Sequence, residues 1–204
     1  MKKTGLLVVS IIVIIGSVWA ILGRHYQPTQ KVRLPEFSAL GKVAAEEVRK
    51  VMPAGGRVVL VVCEVPVGMV GMEVAVGSFQ SALTPMTTER ITIKNLAEGA
   101  NATQELKALL EKHAAVDVVV TIGGAGFLDE SALVNSSQSV PRLVPVLSFL
   151  PLQLKALLAA QRVPLGIMPN FHAVPPTNPP QTPREWFDSV FVVVTPETPV
   201  AAFE

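Results

Sequence analysis

The sequence predicts an α/β fold: a doubly wound, mostly parallel, Rossmann-like sheet of five to six strands, preceded by one N-terminal transmembrane helix. Three observations predict it. The run Gly5–Gly23, GLLVVSIIVIIGSVWAILG, holds no charged residue. The segments RVVLVVCEV (Arg57–Val65) and DVVVTI (Asp117–Ile122) are almost continuously apolar, the pattern of strands buried on both faces. Helical periodicity recurs between strands about five times along the chain, and that alternation builds a parallel sheet covered by helices on both sides.

The N-terminal element comes first. Residues 1–4 are a short positive head with Lys2 and Lys3, and residues 5–23 are the apolar run. At the rise of an α-helix that run covers roughly 28 Å, close to the hydrocarbon thickness of a bilayer. Trp19 and Tyr26 suit the interfacial zones. Lys2 and Lys3 favour a cytoplasmic N-terminus and an exported remainder, whereas Arg24 and Lys31 put positive charge on the far side as well. A cleaved signal peptide competes with an uncleaved anchor: Val18-Trp19-Ala20 fits a cleavage site, but Ile21 and Leu22 continue the apolar run past it. Both readings export the domain. The expected location is a single-pass membrane protein with an extracytoplasmic domain, periplasmic in a Gram-negative cell.

Residues 24–35 read as a polar, proline-bearing tether, and residues 36–204 as one α/β domain. Glu36–Met52 has helical spacing at Phe37, Leu40, Val43, Ala44, Val48 and Val51, with Glu46, Glu47, Arg49 and Lys50 mostly opposite; Pro53 to Gly56 stop it. Arg57–Val65 is the first strand, Val70–Leu83 a helix, Glu89–Lys94 a short alternating strand and Thr103–Ala115 an amphipathic helix. Asp117–Ile122 is a buried strand ending in Gly123, Gly124, Ala125 and Gly126. A weak helix fits Asp129–Asn135, and Arg142–Phe149 is a strand interrupted by Pro145. Leu152–Gln161 is a helix and Val163–Met168 a strand; a proline-rich loop, Pro169–Pro183, precedes a last strand, Ser189–Val194. That loop is too long for a simple connection, so it reads as a flap or a contact surface.

Composition narrows the function. A net charge of +1 gives no field that would draw nucleic acid. Cys63 is the one cysteine, so no internal disulfide forms, and its place in an apolar strand marks it as a small buried hydrophobe. The histidines, His25, His113 and His172, are too far apart for metal-ligand spacing. Ser78 in GSFQS does not make a nucleophile elbow, and no carboxylate pair stands out. No catalytic residue, metal site or cofactor is therefore expected.

Doubly wound sheets hold ligands at the carboxyl ends of their strands. The candidate binding residues are those that follow each strand: Glu64 and Gly68, then Gly123 and Gly124, then Ser148 and Phe149, then Asn170 and Phe171. Glu64 offers a carboxylate. Gly123 and Gly124 allow backbone N–H groups to approach an anion, although GGAG is neither a dinucleotide fingerprint nor a P-loop and equally makes a tight turn. Asn170 and Phe171 offer an amide and a stacking ring.

The order of parts carries a resemblance. VVLVVCEVPVGMVGMEVAVGSFQSAL, TQELKALLEKHAAVDVVVTIGGAG, and LVPVLSF followed by LQLKALLAAQRVPLGIM are similar to successive strand, loop and helix units in one lobe of the type I periplasmic binding proteins. The resemblance spans about Arg57–Phe171 and has no diagnostic motif. It implies a module that receives a sugar, amino acid or other small solute. Those proteins close two lobes on a hinge, and this chain has length for one, so closure implies a dimer that supplies the second wall. Two functions are expected from different classes: a membrane-anchored solute-binding or sensor module, or a non-enzymatic scaffold in a cell-envelope complex, for which the anchor and the proline-rich loop argue.

Overall fold

A computed structural model of the chain describes residues 34–53, 55–63, 70–84, 88–93, 99–123, 141–147, 151–161 and 163–198. By its contacts the chain divides into Met1–Val32 and Arg33–Glu204, and every described residue belongs to the second. The apolar run Gly5–Gly23, the tether before Leu34 and the weak helix expected at 129–135 lie outside the described residues. Among those described, no helix is long and apolar enough to cross a membrane.

The elements run α1 (Leu34–Val51), β1 (Val58–Cys63), α2 (Val70–Leu83), β2 (Thr88–Ile93), α3 (Gly99–Lys112), β3 (Val118–Ile122), β4 (Arg142–Val146), α4 (Pro151–Ala159), β5 (Gly166–Pro169), α5 (Pro183–Asp188) and β6 (Phe191–Val194). They form one six-stranded sheet in the order β2-β1-β3-β4-β5-β6. β1 to β5 are parallel and β6 is antiparallel. The sheet is thus mixed and mostly parallel, as the alternation of buried strands and helices requires.

Both faces are covered, which is why the strands are apolar at successive positions. Val58, Leu60 and Val62 of β1 point into a core shared with α1, α2 and α5, where Phe79 and Phe187 are fully buried. Val59 and Val61 point into the other core, with Leu106 and Leu110 of α3 and Leu154, Leu157 and Leu158 of α4.

α1 and α2 lie side by side and parallel. Phe37 is where a side chain on Gly71 would sit, Gly41 faces Ser78 and Phe79, and Arg49 donates to the Ala82 carbonyl at the far end. Because α2 starts at the carboxyl end of β1, α1 starts at that end too. Its last turn reaches the amino end, where Arg142, the first residue of β4, donates to the Val51 carbonyl.

Several expected boundaries move. α1 begins at Leu34 rather than Glu36, because Pro35 falls in the first turn, where a missing N–H leaves no helical bond unmade. β4 is not interrupted at Pro145, which holds register with Thr121; it ends at Val146, where Leu147 takes φ 62° and turns the chain out of the sheet. Pro145 gives no N–H to a ladder, and β4 keeps one register pair with β5, Val146↔Ile167. Glu47 is not on an exposed face: it is buried, and its Oε1 lies 3.2 Å from Arg184 Nη1 on α5 and 2.7 Å from Lys50 Nζ.

α5 explains the direction of β6. Its first residues lie against Glu47, near the end of α1 and so toward the amino end of the sheet, and its exit is tied to the carboxyl end of β5 by Asn170 N–H donating to the Val190 carbonyl at 2.8 Å. The following strand therefore starts at the carboxyl end and runs back, with Pro169 opposite Phe191.

One glycine is a weak point with no packing reason. Gly77 is in the middle of α2, exposed, and a Cβ there would meet nothing within 4 Å. Gly77→Ala should stabilise the domain by about 0.5–1 kcal/mol through backbone entropy alone. A melting temperature raised by roughly 2–4 °C would show it; an unchanged or lower one would mean that the position is packed.

Candidate functional site

The strand order sets where a ligand can enter. β1 is followed in sequence by β2, its neighbour on one side, and β3 by β4, its neighbour on the other. The chain therefore leaves the carboxyl ends of β1 and β3 in opposite directions along the sheet, the switch point at which open α/β sheets leave a crevice.

Gly123 sits at that point and is held from two sides. Its φ of 68° is one that side chains rarely adopt, and a Cβ on it would come within 2.8 Å of Met72 Cε in the first turn of α2. Its N–H donates to the Val146 carbonyl at 3.0 Å. That N–H continues the link from β3 to β4 and is not directed at an anion, so this glycine makes the tight turn. Beside it Leu147 is also buried in a left-handed conformation. The floor of the crevice, as far as it is described, is therefore apolar: Met72, Gly123 and Leu147.

Asn170 and Phe171 stand over the end of β5. Asn170 is a turn residue: its Oδ1 accepts from His172 N–H at 3.1 Å and its carbonyl from Ala173 N–H at 3.2 Å. This turn lifts Phe171 clear of the sheet, 57% exposed. Glu64, Gly68, Gly124, Ser148 and Phe149 lie outside the described residues. Of the expected site residues, Gly123, Asn170 and Phe171 are thus placed, all at the carboxyl end, with Gly123 at the switch point and the other two over β5.

Among the described residues, two further titratable groups lie at the opposite end of the sheet. His113 ends α3 at the amino end of the sheet, its Nδ1 3.9 Å from Glu89 Oε2. The Glu197 carboxyl is held below the usual range by hydrogen bonds from the Thr195 side chain and its own backbone; it follows β6, at the amino end. No group of three or more His, Cys, Asp or Glu able to hold a metal occurs among the described residues.

Two open depressions lie elsewhere on the described surface. One, of about 600 Å³, lies between the proline-rich loop and α5, lined by Val174, Pro176, Pro179, Pro180, Asp188 and Ser189 among others. The other, of about 640 Å³, follows the outer groove between α1 and α2, with Lys42, Glu46 and Arg49 over Gly77 and Ser81. Sequence reasoning foresaw the first only as a flap or contact surface. It had no signal for the second, which depends on two helices lying parallel.

No family model matches the chain, and no curated protein matches it either. Solved structures do. The arabinose-binding protein AraP of Geobacillus stearothermophilus aligns with a TM-score of 0.55 at 14% identity, covering 79% of this chain and 61% of that one. A candidate LacI transcriptional regulator from Bacteroides fragilis aligns with a TM-score of 0.55 at 14% identity, covering 79% and 60%. An ABC transporter solute-binding protein from Agrobacterium vitis, bound with α-D-tagatopyranose, aligns with a TM-score of 0.53 at 13% identity, covering 78% and 56%. The chain spans between 56% and 61% of the length of these three. At such identities the likeness is one of fold, and at that level the resemblance to the type I periplasmic binding proteins holds.

Proposed function

We propose that this chain is a membrane-anchored, extracytoplasmic solute-binding or sensor module whose ligand occupies the crevice above β1 and β3. The observation that carries the reading is the switch point itself: the order β2-β1-β3-β4-β5 opens a crevice where doubly wound sheets hold small molecules. The fold likeness to AraP and to the tagatopyranose-bound protein supports a sugar-sized polar solute. The uncharged run Gly5–Gly23 after Lys2 and Lys3 supports the anchor and the export. Glu64 and Ser148, next in sequence after β1 and just past the end of β4, are the polar groups to contact the solute; Gly68, Gly124 and Phe149 complete its surroundings.

The test is a thermal-shift screen of the full-length chain in mild detergent against pentoses, hexoses, inositols and amino acids. A solute that binds only the native state stabilises it by about 2.7 kcal/mol at a hundred times its Kd. A saturable rise in melting temperature, lost in Glu64→Ala, is the expected result. No rise across the panel would overturn the reading in favour of a second one, a non-enzymatic part of a cell-envelope complex. That reading draws on the exposed Phe171 and Val174 within the proline-rich loop.

A further inference from the structure

α2 carries one charged residue, Glu73, in its first turn. Its exposed and half-buried positions past that turn are Val74, Gly77, Ser78, Gln80, Ser81 and Ala82, none of them charged. A helix with water along one side normally places charges there, and α1 does so with Lys42, Glu46, Arg49 and Lys50. Between the two helices runs the open trough of about 640 Å³, with Val74, Gly77, Ser81 and Ala82 on one wall and Lys42, Glu46 and Arg49 on the other. Several charges elsewhere are paired within the chain: Glu47 with Lys50 and Arg184, Glu73 with Arg90, Asp188 with Arg184. Arg49 is turned to the Ala82 carbonyl. Lys42 and Glu46 differ. Both are exposed and one helical turn apart, yet among the described residues neither makes a hydrogen bond or an ion pair.

From this arrangement we infer that the α1–α2 trough docks on the same trough of a second copy of this chain. One free cation and one free anion on a single helix row are self-complementary across a two-fold axis. With the two α1 rows antiparallel, Lys42 of each copy meets Glu46 of the other, so one axis makes two ion pairs. The same pair has no net sign, so it selects neither an acidic nor a basic partner of another kind. Gly41 lies level with Ala75, Ser78 and Phe79. An axis between Lys42 and Glu46 therefore passes beside Gly77 and Ser81, where α2 has its smallest side chains and helices of a second copy can come close. The α2 wall gives up no charge to be covered, as the centre of a protein contact requires. One methyl takes little of this trough, so the gain expected of Gly77→Ala stands. The inference uses no residue of the proposed solute site and does not rest on a solute being bound.

The test is the mass of the full-length chain in mild nonionic detergent, by light scattering over a dilution series. Wild type is compared with Glu46→Lys and with the charge swap Lys42→Glu/Glu46→Lys. Both positions are exposed, so all three chains should fold alike. The expected result is twice the chain mass for wild type, a dimer weakened about tenfold in Glu46→Lys, where two like-charged pairs replace two opposite ones, and recovery in the swap. A wild-type monomer overturns the inference. So does a Glu46→Lys dimer as tight as wild type, because the contact then lies elsewhere, residues 5–23 included, and so does a swap as weak as the single variant. Cross-linking gives a second reading. In a Cys63→Ala background, Ser81→Cys should yield a dimer with a short bis-maleimide, and Lys107→Cys, on the outer side of α3, should not; equal yields, or none, overturn it. A monomer that still binds a solute would remove this inference and leave the solute-binding reading intact.

Discussion

Gly41→Ala is expected to destabilise the domain by about 3 kcal/mol, the upper end of what one added methyl costs in a packed interior. Gly41 is the point of closest approach between α1 and α2. A Cβ there would collide with the Ala75 carbonyl and come within 2.8 Å of Phe79 N and Ser78 Cβ. Two of these three atoms are backbone, so the strain cannot be relieved by turning a side chain; the helices must separate. The figure of about 3 kcal/mol is the net loss, after the gain of about 1 kcal/mol that alanine normally brings to a helix. For a domain of this size the melting temperature should fall by roughly 10 °C. The fall should be opposite in sign to the shift for Gly77→Ala on the neighbouring helix. Equal shifts for the two would mean that α1 and α2 are not in backbone contact.

Phe187→Ala is expected to cost about 3–5 kcal/mol, a large share of the roughly 5–15 kcal/mol that holds a typical domain together. Phe187 is fully buried, its ring 5.7 Å from that of Phe191, and the Arg184 guanidinium lies 5.4 Å above it. It is the main apolar attachment of α5, which is only six residues long and has little stability of its own. Loss of the ring should therefore loosen α5 together with the proline-rich loop that precedes it. Urea unfolding should show the lower midpoint, and limited proteolysis should show earlier cutting within 173–182. Phe171→Ala is the control: its ring is mostly exposed, so stability should change by no more than about 0.5 kcal/mol. Comparable losses at 171 and 187 would contradict this packing.

The sequence made the sheet legible where burial is two-sided. β1 and β3 are runs of valine, leucine and isoleucine with little polar interruption, because helices cover both faces and no position is left for a polar residue. α2 was legible from Val70 to Leu83, the span observed. Features that depend on a distant segment were not legible. Glu47 reads as polar surface until α5 lands on it. The direction of β6 follows from α5 returning to the carboxyl end, which no local pattern encodes. α5 itself left a signal: Thr182, Pro183 and Glu185 form a capping box with proline in the first turn. Six residues are too few for apolar periodicity to show. At the site, position was legible and role was not. Gly123 and Asn170 stand at the carboxyl end, but the N–H of one continues the link from β3 to β4 and the Oδ1 of the other closes a turn.

A solute bound above β1 and β3 should shield the backbone around it from solvent. Hydrogen–deuterium exchange on the full-length chain, with and without a saturating pentose and hexose mixture, tests it most directly because it reports position. Exchange should slow over the segments at the carboxyl end, 61–72, 120–126 and 146–152, with α3 and the amino end unchanged. Protection confined to the groove between α1 and α2, or no protection anywhere, would contradict it.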